Sequence, residues 1–400
     1  MRFVSRVRPV YIHHYRLHSN PQVPSRAGPH TKFVKNSFWG RGRWLLTVIW
    51  LVALLVACTP GGEPPRIITD TPASAPTRVA AAAAQVARTA DVNPLTGLRV
   101  SDPAALARRP LAAKISNAPD SVRPQAGIGA ADLVFEHYVE GGLTRFTAIF
   151  WTHTPPRIGS IRSARLIDLE IPAMYGALLV YSGASEPIRQ RIAALPFARR
   201  AYEGVTTGAP LYFRDPALDA PHNLFAVPAE VWARARADGL DDPPDLRGMV
   251  FDEAPPQGGA PAAAVTIDYG PDVVEWAYDA LSGEYARQVD GEPHTDADSG
   301  AQVTAANVVI LYARHWDDES IVEGEWNGTV FYSTEIELQA LGPATLIRDG
   351  IAVDGFWMRW AEDVPLTFWA DEEAAQPLAL KPGNTWFQVV PLDFSGVRLE

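Results

Sequence analysis

Between Asp241 and Pro261 the stretch DDPPDLRGMVFDEAPPQGGAP places five prolines in twenty-one residues. A proline removes a backbone donor and fixes φ, so neither a helix interior nor a central strand runs through such a segment. The hydrophobic pattern also changes across it. Before it, helix-like and strand-like runs alternate; after it, short β-rich runs follow one another with turn residues between them. The expectation is an α/β or α+β N-terminal domain over 93–240, a Pro-rich linker over 241–261 and a mostly-β C-terminal domain over 262–400.

In the first half, PLAAKIS reads as a strand. DLVFEHYVE and LTRFTAIFW read as two strands joined by Gly141-Gly142. SARLIDLEIPAMYG reads as a helix with Ser163 as its N-cap and Pro172 ending or kinking it. ALLVYSG is a short buried-type strand, and EPIRQRIAAL and VPAEVWARARADG are helices, the second closed by Gly239. In the second half, AAVTIDY, VVEWAYD, GEYARQVDG, VTAANVVILYARH, ATLIRDGIAVDGFWMRW, PLTFWAD and TWFQVVP read as strands, with ALSGE and RDGI as hairpin turns. Trp276, Trp326, Trp357, Trp360, Trp369 and Trp386 fall here, either as core or as the lining of a groove.

The single cysteine follows RGRWLLTVIWLVALLVAC. Arg41 and Arg43 precede an uncharged apolar run, Trp44 to Ala57, of signal-peptide length and short for a spanning helix. LVAC resembles a bacterial lipobox, which implies cleavage before Cys58 and lipidation of that cysteine. Residues 1–57 are therefore expected to be an N-terminal extension and signal peptide, with translation beginning near Val34 as one explanation of the basic, unpatterned first forty residues. Residues 58–92, rich in Pro, Ala, Thr and Gly, are expected to form a lipid-anchored flexible tether. The rest of the chain then lies on the outer face of the cytoplasmic membrane. With one cysteine, no intrachain disulfide can form.

Nine of the 35 Lys and Arg precede Cys58, so 26 stand against all 46 acids in the remainder. That excess argues against nucleic acid as a partner, because phosphate neutralisation needs surplus cations. Against this background, no acid lies between Glu140 and Asp168, yet the interval holds Arg145, Arg157, Arg162 and Arg165. Three of them fall within RIGSIRSAR, just before the expected helix. Guanidinium groups beside a helix N-terminus suit a carboxylate or phosphate. The bland alternative is ion pairing with Glu136, Glu140, Asp168 or Asp215.

NPLTGL, SVRPQAGIGAADLVFEHYVEGGLTRFTAIF, IGSIRSAR, YSGAS and FRD with APHNLF occur in that order, followed by VEWAYDALSGEYARQVDGEPHTD, AANVVI and GNTWFQVVP. Together these resemble the YerB-type bacterial lipoproteins, a family built on a domain of unknown function. The resemblance covers nearly everything from Asn93 to Pro391. It implies a lipid-anchored, two-domain protein outside the cytoplasmic membrane and brings no reaction with it.

Other candidate residues weigh less. In a strand, Glu136, Tyr138 and Glu140 share one face and Phe135, His137 and Val139 the other. Glu136 and Glu140 would then lie about 13 Å apart, too far for one catalytic dyad. YFRDPALDAPHNLF offers Arg214, Asp215, His222 and Asn223 on a loop, where Asp215 and His222 could pair as a general base. Ser182 and Ser185 sit at a strand end, a common ligand position in α/β sheets. His294, Asp296 and Asp298 cluster in EPHTDADSG without the ligand count of an EF-hand. No P-loop, GxGxxG, HExxH, CxxC or GxSxG is present, so no cofactor and no metal is expected.

The reading carried forward is an anchored protein that binds an anionic, phosphate- or carboxylate-bearing envelope ligand through Arg145, Arg162, Arg165, Arg214 and Asn223, with Glu136 and Glu140 orienting them. The alternatives are an envelope enzyme of phosphoryl transfer or hydrolysis using Asp215 or His222 as base, and a scaffold whose β domain binds another envelope protein.

Overall fold

The structure, a computed structural model, describes residues 91–400. Its first half contributes strands β1 (Leu111–Ser116), β2 (Leu133–Tyr138), β3 (Thr144–Phe150), β4 (Leu178–Tyr181) and β5 (Ala201–Glu203), with helices α1 (Ile167–Met174), α2 (Glu186–Ala194) and α3 (Pro228–Ala237). The second half contributes β6 (Ala264–Asp268), β7 (Val273–Asp279), β8 (Glu284–Val289), β9 (Asn307–Ala313), β10 (His315–Trp326), β11 (Thr329–Ile336), β12 (Leu341–Arg348), β13 (Ile351–Met358), β14 (Thr367–Trp369) and β15 (Thr385–Pro391). The mixed first half and strand-dominated second half follow the sequence pattern.

The two halves share one eleven-stranded sheet, whose main path runs β14-β13-β12-β9-β15-β2-β3-β1-β4-β5. The joint is β15, which lies parallel to β2 on one side and to β9 on the other, with Phe135 opposite Phe387 and Glu136 opposite Gln388. Six of its seven residues are buried, the continuous apolar reading of a central parallel strand. The proline-rich segment crosses this assembly and is packed against it. Leu246 and Met249 are buried, and Leu380 donates to Val250 O while Asp252 donates to Leu380 O.

Pleating gives the sheet two separate cores. Leu133, Phe135, Ile149 and Phe387 face α1 and α2, which supply Ile167, Ile171, Met174 and Ile188. Val134, Phe146, Ala148 and Trp386 face the other way, toward the small β6–β8 sheet (Val265, Trp276, Tyr285) and α3 (Val231, Trp232).

Local signals set most turns. Gly141 and Gly142 take φ of 74° and 73° between the antiparallel β2 and β3. Asp349 and Gly350 take 52° and 76° between β12 and β13, the paired left-handed turn that a two-residue hairpin requires.

Two local expectations differ from the structure. Ser163 does not cap α1, which begins at Ile167. Residues 160–165 are instead held extended by backbone bonds: Arg162 N to Lys114 O, Ser182 N to Arg162 O and Ala164 N to Gly183 O, each 2.9 Å. The chain thus wedges between the carboxyl ends of β1 and β4, and that tertiary bonding outweighs a local cap. Pro172 sits inside α1, two residues from its end. The sequence reading also passed over β10 and β11. These pair only with each other and project as a hairpin, turned by Asn327 and Gly328 at φ 50° and 77°. The Asn-Gly pair was the signal available for it.

Candidate functional site: an arginine cluster with one open member

Pleat parity sends the candidate side chains to opposite faces of the sheet. Glu136 points with Val134 toward the small β6–β8 sheet. There it accepts from Arg287 Nη2 at 2.8 Å, from Asn117 Nδ2 at 3.2 Å and from Thr144 Oγ1 at 3.1 Å. Arg287 lies among Phe146, Trp276 and Trp386, with its guanidinium carbon 5.1–5.8 Å from the ring centroids. It also meets His294 Nδ1 at 2.7 Å, while His294 Nε2 bonds Gln125 Oε1 at 2.6 Å. Burial, with the Arg287 charge second, holds the His294 imidazole well below its ordinary pKa. Nδ1 therefore accepts from Arg287 and Nε2–H donates to Gln125. This is an ionic keystone between the two halves, remote from the arginine interval.

Glu140 goes to the other face because the strand stops at Tyr138 and a one-turn 3₁₀ segment, Glu140–Gly142, redirects the chain. Its carboxylate is clasped by Arg165 through Nε at 2.6 Å and through Nη2, and by Arg145 Nη2 at 3.1 Å. Burial pushes this carboxyl up, but the Arg165 hydrogen bonds and the charges of Arg145 and Arg165 outweigh it and hold it at about 2. Arg145 is also tied by Nη1 to Ser163 O at 2.9 Å. Burial, with Arg165 second, pulls it down to about 9, so it stays charged at neutral pH.

Below these arginines lies a sealed polar group. Lys114 Nζ contacts Asp168 Oδ2 at 2.8 Å, His137 Nε2 at 2.8 Å and Thr147 Oγ1 at 3.1 Å. Thr147 donates to Asp168 Oδ1 at 2.8 Å, and Asp168 Oδ2 accepts from Arg165 N at 2.7 Å. Burial pulls Lys114 down to about 8 despite Asp168. Asp168 thus closes the start of α1 with the chain's own carboxylate, so an external anion has no place there. Sequence reasoning missed Lys114, Thr147 and Asp168 as a unit, because nothing in their spacing shows that β1, β3 and α1 meet.

Arg162 is the exception in the cluster. Among the described residues its guanidinium has no ion-pair or hydrogen-bond partner, its Nε is buried without one, and Glu140 acts on it only from beyond contact distance. Burial, with the neighbouring Arg165 second, lowers its pKa. His222, on the loop after Asp219, has a buried Nδ1 that is also unpartnered. Burial and then the Arg162 charge depress its pKa. Two groups from distant segments therefore each keep an unpartnered buried nitrogen and are close enough for the Arg162 charge to act on the His222 ring.

The remaining predicted residues sit apart. Arg214 Nη1 bonds Asn223 Oδ1 at 2.7 Å on the surface. Asp215 accepts from Arg157 Nη1 at 3.2 Å, and Arg157 Nε reaches Asp298 at 2.9 Å. Among the described residues no hydrogen bond joins Asp215 to His222. Asp296 is used within its own turn, accepting from Asp298 N at 2.9 Å and Ser299 N at 3.1 Å, and from Gly129 N at 3.0 Å. Among the described residues no group of three His, Cys, Asp or Glu side chains is placed to hold a metal ion. A cleft of about 870 Å³ opens elsewhere, lined by Asp102, Asp132, His153, Glu284 and Asp298 among others, and none of Arg145, Arg162, Arg165 or Arg214 borders it. Trp276, Trp357, Trp369 and Trp386 are core and Trp360 is half-buried, whereas Trp326 is 72% exposed at the hairpin tip. Cys58 lies outside the described residues.

A mixed first half and a β-rich second half sharing one sheet, with a buried arginine cluster, define a two-part protein whose class is set by both halves together. The chain belongs to the DUF3048 family: the model described as "Protein of unknown function (DUF3048) N-terminal domain" matches residues 95–241, and its C-terminal counterpart matches 265–387. It is similar to "Putative lipoprotein YerB" of Bacillus subtilis (strain 168), 27% identical over 303 residues, covering 74% of this chain and 86% of that protein. A crystal structure of the YerB protein from Bacillus subtilis aligns with a TM-score of 0.64 at 25% identity, covering 77% of this chain and 99% of that one.

Proposed function

We propose that this chain is a lipid-anchored envelope protein that binds an oxyanion at Arg162, with His222 as a second donor and the charge of Arg165 nearby. The observation that carries the reading is the unmatched Arg162 guanidinium. A half-buried cation with an orphaned Nε carries a desolvation cost that an incoming anion would offset. At Arg162 itself Arg145 and Arg165 contribute field, because Glu140 already engages both; the Nη2 of Arg165 is shared between Glu140 and Glu323. Anchoring rests on the lipobox-like LVAC at Cys58 and on the lipoprotein name of the B. subtilis relative. On this reading the described residues lie outside the cytoplasmic membrane.

The test is calorimetric titration of the full chain with inorganic phosphate at low salt. Arg162→Ala is expected to weaken binding at least about tenfold, in keeping with loss of a charge-assisted bond, with an unchanged circular dichroism spectrum. Equal affinity in the folded variant, or no binding by the parent chain, would end the proposal.

A further inference from the structure

The hairpin β10–β11 carries a carboxylate into the arginine cluster. Glu323 Oε2 lies 3.4 Å from Arg165 Nη2, and Oε1 accepts from Ser185 Oγ at 3.0 Å. The Glu323 side chain is only 4% exposed, although the residues on either side of it, Val322 and Gly324, are exposed and half-buried. The reason is a bulge. Val322 pairs with Tyr332 and Gly324 with Phe331, so two steps on one strand match one step on the other and Glu323 is the extra residue. A second register shift lies between Asp318 and Val322, so the ladder is irregular from 319 to 323, and a bulge there re-aims the side chain it carries. Ile336 at the base of the hairpin and Ile321, two residues before Glu323, are both buried in the core.

The seat that Glu323 fills has the shape of a ligand position. β4 ends at Tyr181, the turn Ser182–Ala184 follows, and Ser185 stands at the N-cap of α2. This is the crevice at the carboxyl end of parallel strands, where free N–H groups of a helix start face outward. Ser185 makes no side-chain capping bond to α2; its hydroxyl is given to Glu323 instead. Arg162 O accepts from Ser182 N in the same turn, so the unmatched side chain starts from the segment that lies alongside it.

We infer that the Ser185–Arg165 seat is a second oxyanion subsite beside Arg162, and that Glu323 is an internal competitor that holds it until an external anion displaces its carboxylate. This rests on the reading of Arg162 as an anion-binding residue. A tethered carboxylate competes at high effective concentration, and the apparent affinity for an outside anion falls by the fraction of molecules in which the seat is free. Displacement requires only the bulged side chain to leave, because the hairpin base stays anchored.

The experiment is titration of the full chain and three variants with inorganic phosphate at fixed ionic strength. Glu323→Gln removes the competitor's charge, and Glu323→Asp keeps the charge but shortens its reach. Glu325→Gln makes the same charge change at an exposed position on the same hairpin. Both Glu323 variants are expected to bind phosphate about tenfold more tightly, and Glu325→Gln to bind as the parent does. Unchanged or weaker binding by folded Glu323→Gln overturns the inference, as does an equal gain in Glu325→Gln, which would reduce the effect to net charge. If Glu323→Gln fails to fold, Glu323→Asp alone decides by the same criterion. Arg162→Ala separates the two ideas. If it abolishes binding while the Glu323 variants change nothing, the site stands without a competitor. If it changes nothing, the reading of the site itself fails and the inference falls with it.

Discussion

Glu136 and Arg287 meet at 2.8 Å with neither side chain exposed, one from each half of the chain, on the sheet face opposite to Glu140 and Arg165. Two ionic networks are therefore kept apart by one layer of backbone. The first joins the halves; the second surrounds the proposed site.

Removing one partner of the first network leaves the other charge buried and unmatched. Glu136→Gln is expected to destabilise the chain by about 3–5 kcal/mol, whereas Glu136→Leu with Arg287→Met recovers most of the loss. Urea unfolding measures both. A Glu136→Gln cost below about 1 kcal/mol would show that the pair is not the keystone described. The transition should remain single, because β15 commits both halves to one sheet.

Glu140 predicts an acid limb. Its carboxyl titrates at about 2 when folded and near 4.5 otherwise. Between those values the unfolded chain holds a proton that the folded chain does not, so stability rises with pH. The contribution is present above 4.5 and lost as pH falls toward 2, a difference on the order of 3 kcal/mol. Thermal melts of Glu140→Gln should show a flatter dependence between pH 4.5 and 2 than the parent chain; parallel curves would contradict the assignment.

His222 predicts how the site responds to pH. Burial and the Arg162 charge hold its pKa below the usual 6.5, so it is neutral at pH 7. A bound anion favours the protonated ring, and binding then takes up a proton. Affinity for sulfate, whose own charge is constant in this range, should rise as pH drops below 6.5. His222→Gln should remove that slope while keeping the Arg162-dependent binding. A slope that survives the substitution would assign the proton elsewhere.

Anchoring is checked by fractionation of cells expressing the full chain. Cys58→Ser is expected to shift the protein from the membrane pellet to the supernatant. Retention of the variant in the pellet would favour the apolar run itself as an uncleaved anchor.

Much of the local structure was legible in the residues. Gly141-Gly142, Asp349-Gly350 and the proline-rich stretch each act through their own backbone preferences, so they speak without knowledge of the fold. The acid-free interval around Arg145–Arg165 likewise marked where cations gather. Asn327-Gly328 is equally local, and it marks the turn of the hairpin that carries Glu323.

Which carboxylate meets which arginine was a matter for the tertiary structure. A strand fixes only the parity of its side chains, and parity placed Glu136 and Glu140 on one face. The 3₁₀ turn after Tyr138 reversed that relation, sending Glu140 to Arg145 and Arg165 and leaving Glu136 for Arg287. Ser163 lost its expected capping role because backbone bonds to Lys114 and Ser182 hold its neighbour Arg162 extended. Glu323 reaches Arg165 only because a bulge in a distant hairpin turns it inward. The sequence by itself determined the turns, the strands and the stock of charges. Long-range pairing of strands decided how those charges cancel, and so which guanidinium was left over.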